Sequence, residues 1–147
     1  MAIVATLASL ALPSFVSYRE NAKIAATASE MRSLFSAFVT FESNTDNFPE
    51  DSHLTIPAGM DKYISQALWD RGTPIGGRYN WEGPDNYSYA GISIFQSTAT
   101  DETIQKLDKM LDDGDLTTGR FRTGSNGRPT YIIEAVSYTH LTLPTKA

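Results

Sequence analysis

Several clusters in this chain have residue types and spacings suited to chemistry. Asp108, Asp112, Asp113 and Asp115 crowd around Gly114, and hard carboxylate oxygens beside a sharp turn suit Ca²⁺. The spacing departs from an EF-hand, which alternates its acidic ligands before the glycine, and a helix end followed by a solvated acidic turn is the competing reading. Asp112, Asp113 and Asp115 are kept as candidate calcium ligands, and no other cofactor is expected. His53 lies in a polar loop between Pro49 and Pro57. A general base also needs a positioned partner, and no serine nucleophile motif stands near it, so a solvated loop histidine is expected. Gly72, Gly76 and Gly77 are not followed by the Gly-Lys-Ser/Thr of a phosphate loop. Carboxylate pairs are too numerous for any spacing to single out a glycosidase acid and nucleophile. Tyr79, Trp81, Tyr87 and Tyr89 suit either the lining of a ligand groove or the core of a sheet. No catalytic residue is assigned, and the chain is not expected to be an enzyme.

Composition narrows the field in the same direction. With 147 residues, 41% of them hydrophobic and 20% charged, the chain suits one globular domain. It has no cysteine, which removes disulfides, thiol nucleophiles and cysteinyl zinc sites. Acidic residues outnumber basic ones 17 to 12, the wrong balance for neutralising phosphates, so no nucleic-acid partner is expected.

The charges are unevenly placed. From Met1 to Tyr18 there is no ionisable side chain except Tyr18 itself, until Arg19, Glu20 and Lys23 end the run. As a helix those positions span about 27 Å, just under a hydrocarbon core of ~30 Å. A cleaved signal peptide is the alternative, but no basic residue precedes the run and helical patterning continues through the charges. A retained membrane helix is therefore expected, with Ile3, Val4, Leu7, Leu10, Leu12, Phe15 and Val16 as its apolar surface. Pro13 lies inside it, where a membrane helix tolerates a kink or a freed carbonyl. The abrupt start at Met1 reads as a chain missing its true beginning.

Beyond the membrane, Ile24, Ala28, Met31, Phe35 and Phe38 recur in steps of four and three, with Leu34 and Phe41 widening the stripe. This face should pack on the following domain, with Glu30, Arg32, Ser33, Ser36 and Glu42 on the other surface. The helix should stop after Ser43, where Asn44 to Pro49 supplies turn formers and a proline. The organisation expected is a helix over 1–43, a globular α+β head over 44–135 and a separate tail. Within the head, Met60–Trp69 predicts a short helix with Met60, Tyr63, Ile64 and Ala67 on one face. Asp101–Leu111 predicts another, with Ile104, Leu107, Met110 and Leu111 inward. Arg78–Trp81, Tyr87–Phe95, Arg120–Arg122 and Thr130–Ala135 predict strands, and the short turns between them favour an antiparallel sheet carrying the long helix.

The tail, Val136 to Ala147, reads as non-native. Val136 to Thr145 is similar to the translation of a transposase mosaic-end adapter, and the segment is set aside from the functional argument. Without Lys146 the basic count falls from 12 to 11 against 17 acidic residues, a net charge of −6, and His53 remains the one imidazole.

The opening segment resembles the first helix of the type IV pilin and type II secretion pseudopilin superfamily. The resemblance lies in an Ala/Ile/Leu run that ends in Ala11-Leu12-Pro13, then Phe15 and the Tyr18-Arg19 pair, and it extends to about Lys23. Ile56 to Met60, Thr73 to Gly77 with Tyr79 and Trp81, and Tyr89 to Ser93 are similar to some type II secretion pseudopilin-like proteins. The family's leader, its Phe-Thr-Leu-Ile-Glu start, its methylated residue and its assembly glutamate would all precede Met1. The resemblance thus implies that Met1 is internal to the helix and the chain a fragment at both ends.

The resemblance further implies a structural filament subunit with the pilin-like fold, a long helix on a small antiparallel sheet. It would be anchored once in the inner membrane, its C-terminal domain periplasmic, until helices leave the lipid and pack together as a filament core. That exchange changes hydrophobic free energy little, so packing and specific polar pairs must select the polymer. Pro13 is where the helix should bend or melt on assembly. The implied partners are other copies and related subunits, membrane lipid, a prepilin peptidase acting on the leader, and an assembly platform with a separate ATPase. A membrane-tethered extracytoplasmic module binding a ligand through the aromatics is the alternative.

Overall fold

A run without glycine or proline from Ser14 to Ser43 has nothing to break a helix, and in the computed structural model helix α1 spans Ala2–Thr45. The structure describes residues 2–135, with side chains described from Phe15 onward. The end of α1 lies two residues past the expected stop. Asp46 adopts a left-handed φ of 65° and donates its amide to the Glu42 carbonyl at 2.8 Å, while the Thr45 hydroxyl bonds the Phe41 and Asn47 carbonyls. These contacts satisfy carbonyls that a helix end leaves open.

After a loop come a 3₁₀ turn (Met60–Lys62), α2 (Gln66–Arg71), β1 (Arg78–Glu82), β2 (Tyr89–Phe95), α3 (Asp101–Leu111), β3 (Phe121–Thr123) and β4 (Pro129–Ala135). The strands form an antiparallel sheet of order β1-β2-β4-β3, so the two hairpins join through β2 and β4.

One face of this sheet carries Tyr79, Trp81, Ile92, Ile94, Phe121, Tyr131 and Ile133. Together with Ile24, Ala28, Met31, Leu34 and Phe38 of α1 and with Ile104 and Leu107 of α3 they make one core. The opposite face is also shut off from water, but it is polar: Asn80, Glu82, Ser93 and Thr130 are buried there. The Asn80 amide donates to the Ser93 hydroxyl at 3.3 Å and accepts the Leu54 amide at 2.8 Å, so the loop before the 3₁₀ turn helps cover this face.

The structure corrects several expectations. The helix expected over Met60–Trp69 is broken, because the Ser65 hydroxyl accepts the Leu68 amide and caps a new helix. Ala67 is exposed, and Trp69, fully buried, anchors the segment instead. In α3 the inward face is Thr103, Ile104, Leu107 and Asp108, which turns Met110 outward to 42% exposure. Tyr87 and Ser88 precede β2, because both Asn86 and Tyr87 donate their amides to the Gly83 carbonyl and prolong the turn. Arg120 likewise precedes β3.

Candidate functional site

The seam between α1 and the head is where most of the sequence-predicted residues can be placed. Ile24, Ala28, Met31 and Phe38 are buried, as is Leu34, and Phe35 is half-buried with its ring 5.0 Å from that of Tyr131. Phe15 and Val16 are 57% and 62% exposed. Ile3, Val4, Leu7, Leu10, Leu12 and Pro13 have side chains outside the described residues. Among the described residues no helix is long and apolar enough to cross a membrane.

Polar contacts fix the seam at both ends. Glu20 accepts the Thr103 hydroxyl at 2.7 Å in the first turn of α3, and the Arg32 guanidinium donates to the Met110 carbonyl in its last turn. α3 therefore runs alongside α1 in the same direction. An anion at its N-terminus and a cation at its C-terminus both complement its dipole. Glu30, expected on the outer surface, instead faces the head. One of its carboxylate oxygens accepts the Tyr79 hydroxyl at 2.8 Å and the other accepts Arg71 at 3.1 Å.

A second polar cluster lies on the far face of the sheet. Glu82 is fully buried and accepts the Tyr89 hydroxyl at 2.5 Å, the Asn126 amide at 2.6 Å and the Arg128 guanidinium at 3.3 Å. It ties the end of β1 to β2 and to the turn before β4. Residue pattern alone could not reveal it, because Glu82 stood inside a string of turn formers.

These networks set an alkaline limit on stability. Burial, aided by the Glu82 bond, pushes the Tyr89 hydroxyl up to about 12, and burial with the Glu30 bond pushes Tyr79 higher still. Both folded values exceed the unfolded value of about 10, so stability is intact below pH ~10 and falls as pH rises through the folded values. Tyrosinate absorbance should show these two hydroxyls ionising only as the fold is lost. Ionisation of Tyr79 and Tyr89 near pH ~10 with the fold intact would contradict this.

The acidic turn follows α3. Oxygens of Asp108, Asp112 and Asp113 lie within 4.8 Å of one another, whereas Asp115 stands apart from this group. One Asp115 oxygen is engaged by the Thr117 amide at 2.9 Å and hydroxyl at 2.6 Å. Asp112 accepts the amides of Arg120 and Phe121, and Asp113 accepts the Asp115 amide and the Thr118 hydroxyl. Asp108 is fully buried, and neither carboxylate oxygen has a partner in hydrogen-bonding geometry. Burial pushes its carboxyl up to about 6; the Gly114 amide acts the other way, and the Asp113 and Asp112 charges add to the rise. Asp108 was within the acidic string of the sequence, but its burial follows from the face of α3 that meets the core.

The remaining candidates have other roles. His53 is an exposed loop residue set edge-on to Phe95 at 4.8 Å. Tyr79 and Trp81 do not line a groove, because both are fully buried, and Tyr89 is only 4% exposed. Tyr87, half-buried, rests against Tyr89. Gly72, Gly76 and Gly77 form a loop closed on itself, with the Thr73 amide on the Gly77 carbonyl and the Thr73 hydroxyl on that of Gly76.

A long helix sewn by its second half to an antiparallel four-stranded sheet defines an α+β fold. It is the fold of a type IV pilin. The solved structure of the major type IV pilin PilA1 from Clostridium difficile matches with a TM-score of 0.53 and 20% identity, covering 78% of this chain and 96% of that one. No protein-family model and no curated protein matches the sequence.

Proposed function

We propose that this chain is a subunit of a type II secretion pseudopilus or type IV pilus-like filament. It is held in the inner membrane before assembly and polymerises through the hydrophobic start of α1. The observation that carries this reading is the division of α1: Ile24 to Phe38 is sewn to the head, while Phe15, Val16 and Tyr18 stand away from it, 57%, 62% and 73% exposed. Apolar side chains on a projecting rod need lipid or another rod.

In the membrane-held state the helix is a single pass with the head periplasmic. Ile3, Val4, Leu7, Leu10, Leu12, Phe15 and Val16 face lipid first and neighbouring helices afterwards, and Pro13 is the point of bending. The partners are further copies and related subunits, a prepilin peptidase, and a platform driven by a separate ATPase. The function has no catalytic step.

Amine crosslinking in native membranes tests the proposal, using the gene with its own upstream sequence. Lys23, Lys62, Lys106 and Lys109 are all exposed and can report neighbours. A filament subunit should give a ladder of multimers when co-expressed with its assembly machinery. Monomer alone under those conditions would overturn the proposal and favour a tethered binding module.

A further inference from the structure

We infer that Asp108, Asp112 and Asp113 form a Ca²⁺ site that fastens the end of α3 to the loop leading into β3. The first observation is the cluster itself: three carboxylates, each offering an oxygen, within 4.8 Å of one another. The second is independent of it. Asp108 is fully buried with both oxygens unpartnered, and it is aimed at the other two. A carboxylate taken out of water needs a pairing charge or a metal. Among the described residues no lysine or arginine forms an ion pair with any of the three. Arg120, the nearest in sequence beyond the turn, is committed to the Ile132 and Ile133 carbonyls.

The separation accommodates calcium: bonds of about 2.3–2.6 Å let opposed oxygens stand up to about 5 Å apart. Calcium also accepts irregular sets completed by carbonyls and water, as an acidic loop provides. Gly119 permits the arrangement: a Cβ there would stand 1.8 Å from an Asp112 oxygen and 2.9 Å from one of Asp113. Asp115 is not a ligand in this set.

Thermal unfolding of the full chain in mild detergent tests the site, with CaCl₂ as the probe and a chelator as the reference. About 5 mM Ca²⁺ exceeds the affinities usual for extracellular calcium modules and should raise Tm saturably, by roughly 5 °C. Asp108→Asn keeps the side-chain volume and removes the buried charge. It should fold at least as stably as the parent in chelator and gain nothing from Ca²⁺. Asp113→Asn should weaken the gain. No rise in the parent, a full rise in Asp108→Asn, or an equal rise from Mg²⁺ or from NaCl of matched ionic strength would each overturn the site. The assay reads metal binding by the head and not assembly, so its outcome is separate from that of the crosslinking.

Discussion

Glu82→Ala should destabilise the chain by about 3–5 kcal/mol, the loss expected when one partner of a buried ion pair is removed. The size of the loss comes from what is left behind. Arg128, with a side chain 24% exposed, loses its carboxylate, and the buried Tyr89 hydroxyl loses its acceptor, while the exposed Asn126 amide gives up one bond. An orphaned buried donor forfeits its full solvation, which exceeds the net value of the bond it made. Arg128 keeps its stacking over Phe95, 4.9 Å from the ring centre, so Arg128→Ala removes packing as well as charge. A double-mutant cycle on Glu82 and Arg128 separates the two, because the packing loss appears in both arms and cancels. Urea unfolding measures it. Equal midpoints for Glu82→Ala and the parent would show that the network contributes nothing, and Tyr89→Phe should cost less than Glu82→Ala because it removes one bond only.

That network also marks where the sequence stops being legible. The apolar stripe of α1 is periodic because one side of a rod meets a core, so Ile24, Ala28, Met31 and Phe38 could be placed on that side from spacing alone. The bounds of α3 were equally plain, since Asp101 and Glu102 suit its first turn; the Thr100 cap is seen in the structure. Burial of polar residues is different, because it depends on which distant segment covers them. Alternation along β1 separates Tyr79 and Trp81 from Asn80 and Glu82, but only the loop through Leu54 and the turn through Asn126 closes the second face. Glu30 reads as a surface residue until β1 brings Tyr79 beside it, 49 positions away in sequence. The order β1-β2-β4-β3 is non-local in the same sense. For the calcium site proposed above, the acidic string was visible and its membership was not. Asp108 joins through the face of α3 that packs, and Asp115 leaves through its own turn.

Phe38→Ala should cost a similar amount, about 3–5 kcal/mol, the range for deleting a fully buried phenylalanine. Its ring lies parallel to that of Trp81, 3.8 Å between centroids and 5° between planes, and 6.3 Å from that of Trp69. Both indoles are pinned by hydrogen bonds, Trp81 to the Pro49 carbonyl and Trp69 to that of Leu54, so neither can readily collapse into the void. A cavity whose walls cannot relax gives the larger losses. Phe35→Ala, at the half-buried edge of the seam, should cost less, and Phe38→Leu should recover part of the loss by restoring volume. These two indoles are the chain's only tryptophans, so their fluorescence reports the seam directly. Phe38→Ala should shift their emission to the red and lower Tm. Unchanged emission and Tm would mean that α1 and the head hold together without this contact. In the filament proposed above, the helix is the spine and the head its outer surface, so load between subunits must cross this seam. A variant that loosens it while leaving Phe15 and Val16 untouched should therefore still crosslink in membranes, yet yield filaments that shed or unfold their heads at lower temperature than the parent.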